Sequence, residues 1–235
     1  LVGTTTALDQ VSITAVAGSI NGAGQVTGDT VDLVAFTGIG NSVALETAAA
    51  VISADATSGN IEIDNVLGTP VDVTLLTTGS GSVQFSQSGG DVTFSGPVSS
   101  GGVVDGDNIT LTASSGLVVD GPVSSAQGTG GMLAAAGATL NGTVTVGAGD
   151  FSIQGGEVDL LVVADITSEG DVTLSASRDV IVSGVVDANN GSSITVLADS
   201  NSAVDPGSAG GGHGGAWITS SGQLNAEGDV TTTGS

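Results

Sequence analysis

The chain of 235 residues carries 24 Asp and Glu against one basic residue, Arg178, for a formal charge of −23, and it has no cysteine. That balance excludes nucleic acid as a partner, since phosphate recognition needs Lys and Arg; it argues against docking on anionic lipid and removes thiol chemistry and disulfides. A mean hydropathy of +0.39 excludes disorder through low hydrophobicity, and aromatics at 2% leave Val, Ile, Leu and Ala to fill any core.

No stretch of useful length places apolar residues at helical spacing. Short alternating or β-branched runs recur instead, each closed by Gly, Asn, Asp or Ser. The first is Val11-Ser12-Ile13-Thr14-Ala15-Val16. Leu45 to Ala56, with Ala48-Ala49-Ala50-Val51-Ile52, is the exception: its pattern admits a helical turn or two, and an irregular loop followed by a strand is the expectation. Next come Val71-Asp72-Val73-Thr74-Leu75-Leu76, Ile109-Thr110-Leu111-Thr112, Thr143-Val144-Thr145-Val146, Asp171-Val172-Thr173-Leu174 and Ile194-Thr195-Val196-Leu197. In each, residues at i and i+2 point inward while the intervening Thr, Ser or Asp faces water. Residues 200–217 break the rhythm. Asn201 to Gly207 leads into a glycine run around His213, which predicts a protruding Gly-rich loop ending at Trp217. No apolar run approaches the ~20 residues of a membrane span, and neither end reads as a signal peptide or sorting signal. Both ends resemble cuts through a pattern, so 1–235 is expected to be a single repeat region, a fragment of a longer chain.

Internal repetition decides the fold class. Gly106-Asp107-Asn108-Ile109-Thr110-Leu111-Thr112-Ala113 returns as Gly170-Asp171-Val172-Thr173-Leu174-Ser175-Ala176, and 63 positions separate Leu111 from Leu174 and Gly121 from Gly184. A further copy, Val92 to Ser100, places Gly96 25 positions before Gly121. Coils of about 21 to 25 residues, three of them per 63, reconcile the two offsets. Such a coil buries its apolar face only when the next one stacks on it. The predicted fold is therefore all-β, a parallel β-helix (β-solenoid) of about ten coils, roughly 50 Å long at ~4.8 Å per coil. Gly96, Gly121, Gly155 and Gly184 are expected to supply positive-φ corners. A β-sandwich is the structural rival; it explains the in-phase copies less well and normally uses more aromatics.

The run Asp32-Leu33-Val34-Ala35-Phe36-Thr37-Gly38-Ile39-Gly40, continued by Leu45-Glu46-Thr47, Ile52-Ser53-Ala54 and Thr57 to Asn65, resembles the degenerate repeats of filamentous-haemagglutinin-like and other giant β-strand-repeat bacterial surface proteins. Residues 170–184 are similar in kind. The resemblance implies a right-handed parallel β-helix, export to the cell surface or the extracellular space, and a role in adhesion or an extracellular layer. The expected function is thus a structural or adhesive segment of a surface or matrix fibre. Its expected partners are neighbouring repeats, further copies stacked end to end into filaments, and host or matrix polysaccharide. The alternative reading is a carbohydrate-binding or polysaccharide-degrading β-helix module.

Catalytic chemistry finds little purchase in the sequence. His213 is the one histidine and sits among glycines, which leaves no Ser-His-Asp arrangement to argue. Sugar hydrolysis needs a positioned carboxylate pair; Asp105 with Asp107 and Asp171 with Asp179 are the pairs that sequence proximity offers, and Arg178 alone could hold an acidic sugar. Asp105-Gly106-Asp107-Asn108 opens like a calcium loop, but Ile109 takes the next ligand position and no glutamate closes it. Zinc would need three or four gathered ligands, which the sequence does not supply. The turn carboxylates read as solvated surface charge, with weak, non-specific calcium binding as the one cofactor expectation, and no catalytic, cofactor or metal residue is assigned. Ice binding would require Thr-x-Thr once per coil; Thr110-x-Thr112 and Thr143-x-Thr145 occur without that regularity.

Overall fold

The computed structural model describes residues 1, 3–102, 107–198 and 215–234. Among these, every regular element is a β-strand, and the 25 strands join one sheet paired in parallel throughout. The sheet winds as a β-solenoid of about nine turns, which at ~4.8 Å per turn gives a rod of roughly 43 Å. The expected all-β parallel β-helix is the observed one.

Each upper coil contributes three short strands, one to each of three faces. The first face stacks Ile61–Asn65, Val83–Gln87, Ile109–Ala113, Gly130–Ala134, Phe151–Gln154, Val172–Ala176, Ile194–Ala198 and Val230–Thr233. The second stacks Val92–Phe94, Gly116–Val119, Gly137–Leu140, Leu160–Val162, Val180–Val182 and Ala216–Ile218. The third stacks Val98–Ser100, Val123–Ser125, Val144–Val146, Ile166–Ser168, Val185–Ala188 and Gln223–Ala226. In the lower coils the corners between strands vanish: Gln25–Ala35 and Leu45–Ala56 bend continuously from one face to the next.

Register explains the sequence offsets. Leu111 lies over Met132, Met132 over Ile153 and Ile153 over Leu174, so 63 positions are three coils. Val98 pairs with Val123 across the longer coil that carries residues 103–106, and Val180 pairs with Ala216 across the longest one. Insertions thus enter at corners and leave the stack in phase. The loop expected at 200–217 falls on this last coil; 200–214 lie outside the described residues, and Ala216 and Trp217 have already rejoined the second face.

Two expectations are corrected. Leu45–Ala56 is neither helical nor an irregular loop: it is one 12-residue strand. Its in–out alternation breaks once, at Ala50 and Val51, both half-buried, and just beyond that the partner strand Val71–Thr78 bulges, Thr74 being skipped between the Ile52–Val73 and Ser53–Leu75 pairs. The second correction concerns Gly96, Gly121, Gly155 and Gly184, none of which is among the positive-φ residues. Their reason is space. A Cβ on Gly96, Gly121 or Gly184 would fall inside van der Waals distance of the carbonyl of Thr74, Gly96 or Ala164 in the coil below, and one on Gly155 would meet the Asp159 carbonyl at 3.1 Å. The positive φ expected of Gly155 belongs to its neighbour Gly156, at 63°.

The interior is a continuous column of Val, Ile, Leu and Ala, with Phe85, Phe94 and Phe151 fully buried in it. Phe85 on the first face meets Phe94 on the second edge to face, with centroids 5.4 Å apart and planes at 84°. Phe151 fits because the residue beneath it is Gly130, where a Cβ would come within 2.9 Å of its ring.

Candidate functional surface

Polar residues of this solenoid divide into those that hold coils together and those with no partner in the fold. The most regular of the first kind run up the corner that enters the first face. The Asn60 N–H donates to Asn41 Oδ1 at 2.9 Å, the Ser82 N–H to Asn60 Oδ1 at 3.0 Å, the Asn108 N–H to Ser82 Oγ at 3.1 Å and the Thr129 N–H to Asn108 Oδ1 at 2.9 Å. Higher up, the Asp171 N–H donates to Asp150 Oδ1 at 2.9 Å, the Ser193 N–H to Asp171 Oδ1 at 2.8 Å and the Asp229 N–H to Ser193 Oγ at 3.2 Å. A side-chain oxygen thus accepts the corner N–H of the coil above, satisfying a donor that the strand ladder does not reach. This is the physical reason for the recurring Asn, Asp or Ser just before the first-face strands, Thr129 before Gly130–Ala134 being the exception. The corner entering the second face repeats the device. Asp91 accepts from Ser115 Oγ at 2.5 Å and from the Gly116 N–H at 2.9 Å, and these bonds hold its carboxyl below the usual carboxylate range, the Ser115 hydroxyl first and the backbone second, against a small opposing effect of burial.

A second ladder is internal. Thr47, Asn65 and Gln87 stack in register at the end of the first face and are buried. Thr47 Oγ1 donates to Asn65 Oδ1 at 2.9 Å, Asn65 Nδ2 to Gln87 Oε1 at 2.8 Å and Gln87 Nε2 to the Leu67 carbonyl at 2.7 Å. Asn65 also joins both peptide groups of Ala49. On the next coils the same position is Ala113 and then Ala134. The sequence reading missed this ladder, whose signal was three polar residues at inward-facing strand positions.

The residues singled out for chemistry are dispersed. Asp171 and Asp179 lie beyond opposite ends of Val172–Ala176, a strand of roughly 16 Å at ~3.3 Å per residue, and so occupy different corners of the coil rather than facing each other as a glycosidase pair does. Asp171 Oδ1 accepts from Ser193 and Asp179 Oδ1 from the Gly215 N–H. Arg178 sits 3.6 Å from Asp159, one coil below Asp179. His213, Asp105 and Gly106 lie outside the described residues, so the Asp105–Asp107 pair and the start of the calcium-like loop are not placed. In the remainder of that loop, Asn108 belongs to the corner ladder and the Asp107 carbonyl accepts from Ser100 and Ser125. Among the described residues no three His, Cys, Asp or Glu gather around a common point, and no helix is long and apolar enough to cross a membrane.

The outward positions of the first face form the broadest regular surface. From the Val83–Gln87 strand upward they read Gln84 and Ser86, Thr110 and Thr112, Gly131 and Leu133, Ser152 and Gln154, Thr173 and Ser175, Thr195 and Leu197, and Thr231 and Thr233. None is charged. Thr110 and Thr112 lie here, whereas Thr143 and Thr145 belong to the third face. A shallow groove crosses the surface at Gly131, bounded by Thr110, Thr112, Leu133, Ser152, Gln154 and Thr173. The second face presents a more apolar outward row, Val118, Thr139, Leu161, Ile181 and Trp217.

Compared with protein families, with curated proteins and with solved structures, the chain finds no match.

Proposed function

We propose that this chain is a structural, adhesive segment of an extracellular bacterial surface or matrix fibre protein, in which the solenoid serves as a stiff, repetitive stalk. The observation that carries the reading is the in-register stack itself. About nine turns are locked by the strand ladders, by the corner ladder from Asn41 to Asp229 and by the buried Thr47–Asn65–Gln87 triplet, so length and rigidity are the properties the sequence maintains. The charge of −23 keeps such rods apart and soluble. Absence of cysteine removes any dependence on redox conditions. Edge strands at the ends of the stack can be continued by further coils, or by another copy stacked end to end into a filament. A polysaccharide-degrading module is disfavoured by the placement of Asp171 and Asp179 at different corners of the coil and by the pairing of Arg178 with Asp159.

The test is immunogold electron microscopy of cells producing the intact protein, with an antibody raised against this segment. Labelled stalks or filaments outside the cell are the expected result. Label confined to the cell interior would overturn the assignment, and so would shortening of neutral or acidic polysaccharides by the purified chain.

A further inference from the structure

We propose that the outward surface of the first face, centred on the Gly131 groove, is a binding site for an uncharged polysaccharide chain lying along the solenoid axis. The proposal deepens the adhesive reading by naming the surface that adheres and the class of ligand it takes.

Three observations converge on this surface. The first is a glycine that the fold does not require. Gly130 must be glycine to admit Phe151, and Gly96 and Gly121 must be glycine to let a carbonyl approach, but Gly131 has neither need. Its φ is not among the positive ones, and a Cβ there would meet its nearest neighbours, the Ile109 carbonyl and Ser152 Oγ, at an ordinary 3.9 Å. Glycine in a strand interior lowers stability and often marks the close approach of a ligand. The indentation it leaves is the groove.

The second observation is the set of polar groups around the groove. Among the described residues the side chains of Thr110, Thr112, Ser152, Gln154 and Thr173 have no hydrogen-bond partner, while Ser175 at the groove's edge donates to the Ile153 carbonyl at 3.5 Å; the Asn, Asp and Ser side chains of the corner ladder are engaged. The unpartnered groups offer donors and acceptors at intervals of one coil, ~4.8 Å, close to the advance of one β-linked hexose. Leu133, 43% exposed, supplies an apolar platform beside them.

The third is charge. Among the described residues from Asp91 onward, every acidic residue except Asp187 lies outside the strands, at the corners. Above the Ile61–Asn65 strand, whose outward residues are Glu62 and Asp64, the face is therefore a neutral strip between two carboxylate-lined edges, Asp107, Asp150 and Asp171 on one side and Asp91, Asp159 and Asp179 on the other. Such a strip admits a neutral polymer while its edges repel polyanions and a second copy of a chain at −23.

The experiment is affinity gel electrophoresis of the purified chain through gels carrying a soluble neutral β-glucan, a galactomannan, or the polyanion alginate. Retardation by a neutral polymer and none by alginate is expected. Gly131→Trp, which fills the groove, is expected to weaken that retardation at least tenfold while leaving thermal unfolding unchanged. Ser124→Trp, outward on the third face, is expected to leave it as it was. Equal mobility in all gels, retardation by alginate, or an undiminished effect in a folded G131W chain would each overturn the proposal. So would a dimer in size-exclusion chromatography that G131W dissolves, since the groove would then serve a second copy. The extracellular location read by immunogold stands or falls separately.

Discussion

Replacing Asn65 by Leu isolates what the buried polar ladder contributes. Asn65 is fully buried and makes four hydrogen bonds: with Thr47 Oγ1 at 2.9 Å, the Ala49 N–H at 3.0 Å, the Ala49 carbonyl at 3.1 Å and Gln87 Oε1 at 2.8 Å. Leucine has the same branched side chain of four heavy atoms, somewhat larger in volume, but leaves the Thr47 hydroxyl and the Gln87 carbonyl oxygen buried without their partner. At ~1–3 kcal/mol for each abandoned group, with the Ala49 peptide groups adding to the loss and the extra apolar burial offsetting part of it, the expected destabilisation is about 3–5 kcal/mol. The informative comparison is the triple variant Thr47→Val, Asn65→Leu, Gln87→Leu. It removes every side-chain member of the ladder, and the Leu67 carbonyl keeps the Gly90 N–H at 3.1 Å. Replacing both partners with apolar groups is nearly neutral where replacing one is not, so the triple variant should regain about 1–2 kcal/mol of that loss, the Ala49 N–H and carbonyl still being left without Asn65. Urea unfolding followed by circular dichroism reads both, and limited proteolysis localises the opening, because a solenoid coil depends mainly on its neighbours. A single variant within 1 kcal/mol of the parent, or a triple variant no better than the single, would refute the reasoning.

Glycine requirements divide sharply. Gly121→Ala drives a methyl into the Gly96 carbonyl below it and should cost roughly 2–4 kcal/mol in the same assay, whereas Gly131→Ala should be neutral or stabilising by about 0.5–1 kcal/mol. Phe94→Ala, which empties a fully buried ring site beside Phe85, should cost about 3–5 kcal/mol. For Asp91, the folded carboxyl titrates below its unfolded value, so its contribution is present above the unfolded pKa of ~3.9 and is lost as pH falls through the folded one. Ser115→Ala removes the larger cause and should move the Asp91 carboxyl resonance, followed by NMR, to a higher midpoint; an unmoved midpoint would contradict the assignment.

Stacking was legible because it repeats: the 63-position offset is three coils, and inward residues such as Leu111, Ile153 and Leu174 carry the alternation on short strands. Leu45–Ala56 was harder, since alanine is compatible with helix and strand alike, and only the coils above and below decide between them. Glycine corners were found but misread, because sequence marks a glycine without saying whether φ or space demands it. The corner carboxylates were read as solvated charge for a similar reason. Nothing local reveals that Asp150 Oδ1 will face the N–H of Asp171, 21 residues later; that bond exists only once the coils are stacked. The groove at Gly131 was invisible for the complementary reason, since a spare glycine stands out only after the others have been accounted for.

The distribution of charge follows from the same geometry. In-register parallel stacking sets equivalent side chains ~4.8 Å apart, so a carboxylate repeated up a face would repel its neighbours by about 0.9 kcal/mol per contact even in water, with no lysine to relieve it. Corners escape this because a carboxylate there gains a backbone N–H from the next coil. Eight acidic residues do lie within strands, seven of them in the lower coils, up to Val71–Thr78; there Glu46 lies in register with Asp64 but takes the Gln25 amide at 2.6 Å, and Asp32 takes the Ser53 hydroxyl. Nearly neutral faces are therefore shared by all three sides of the upper coils, where Asp187 is the one acidic residue within a described strand, and neutrality alone would single out no surface. What distinguishes the first face is a glycine with no structural need at 131, beside the hydroxyl and amide groups of Thr110, Thr112, Ser152, Gln154 and Thr173, which find no partner among the described residues. Stacking accounts for the absent charges but not for the groove, and for that reason the groove, rather than the charge pattern, carries the case for a ligand.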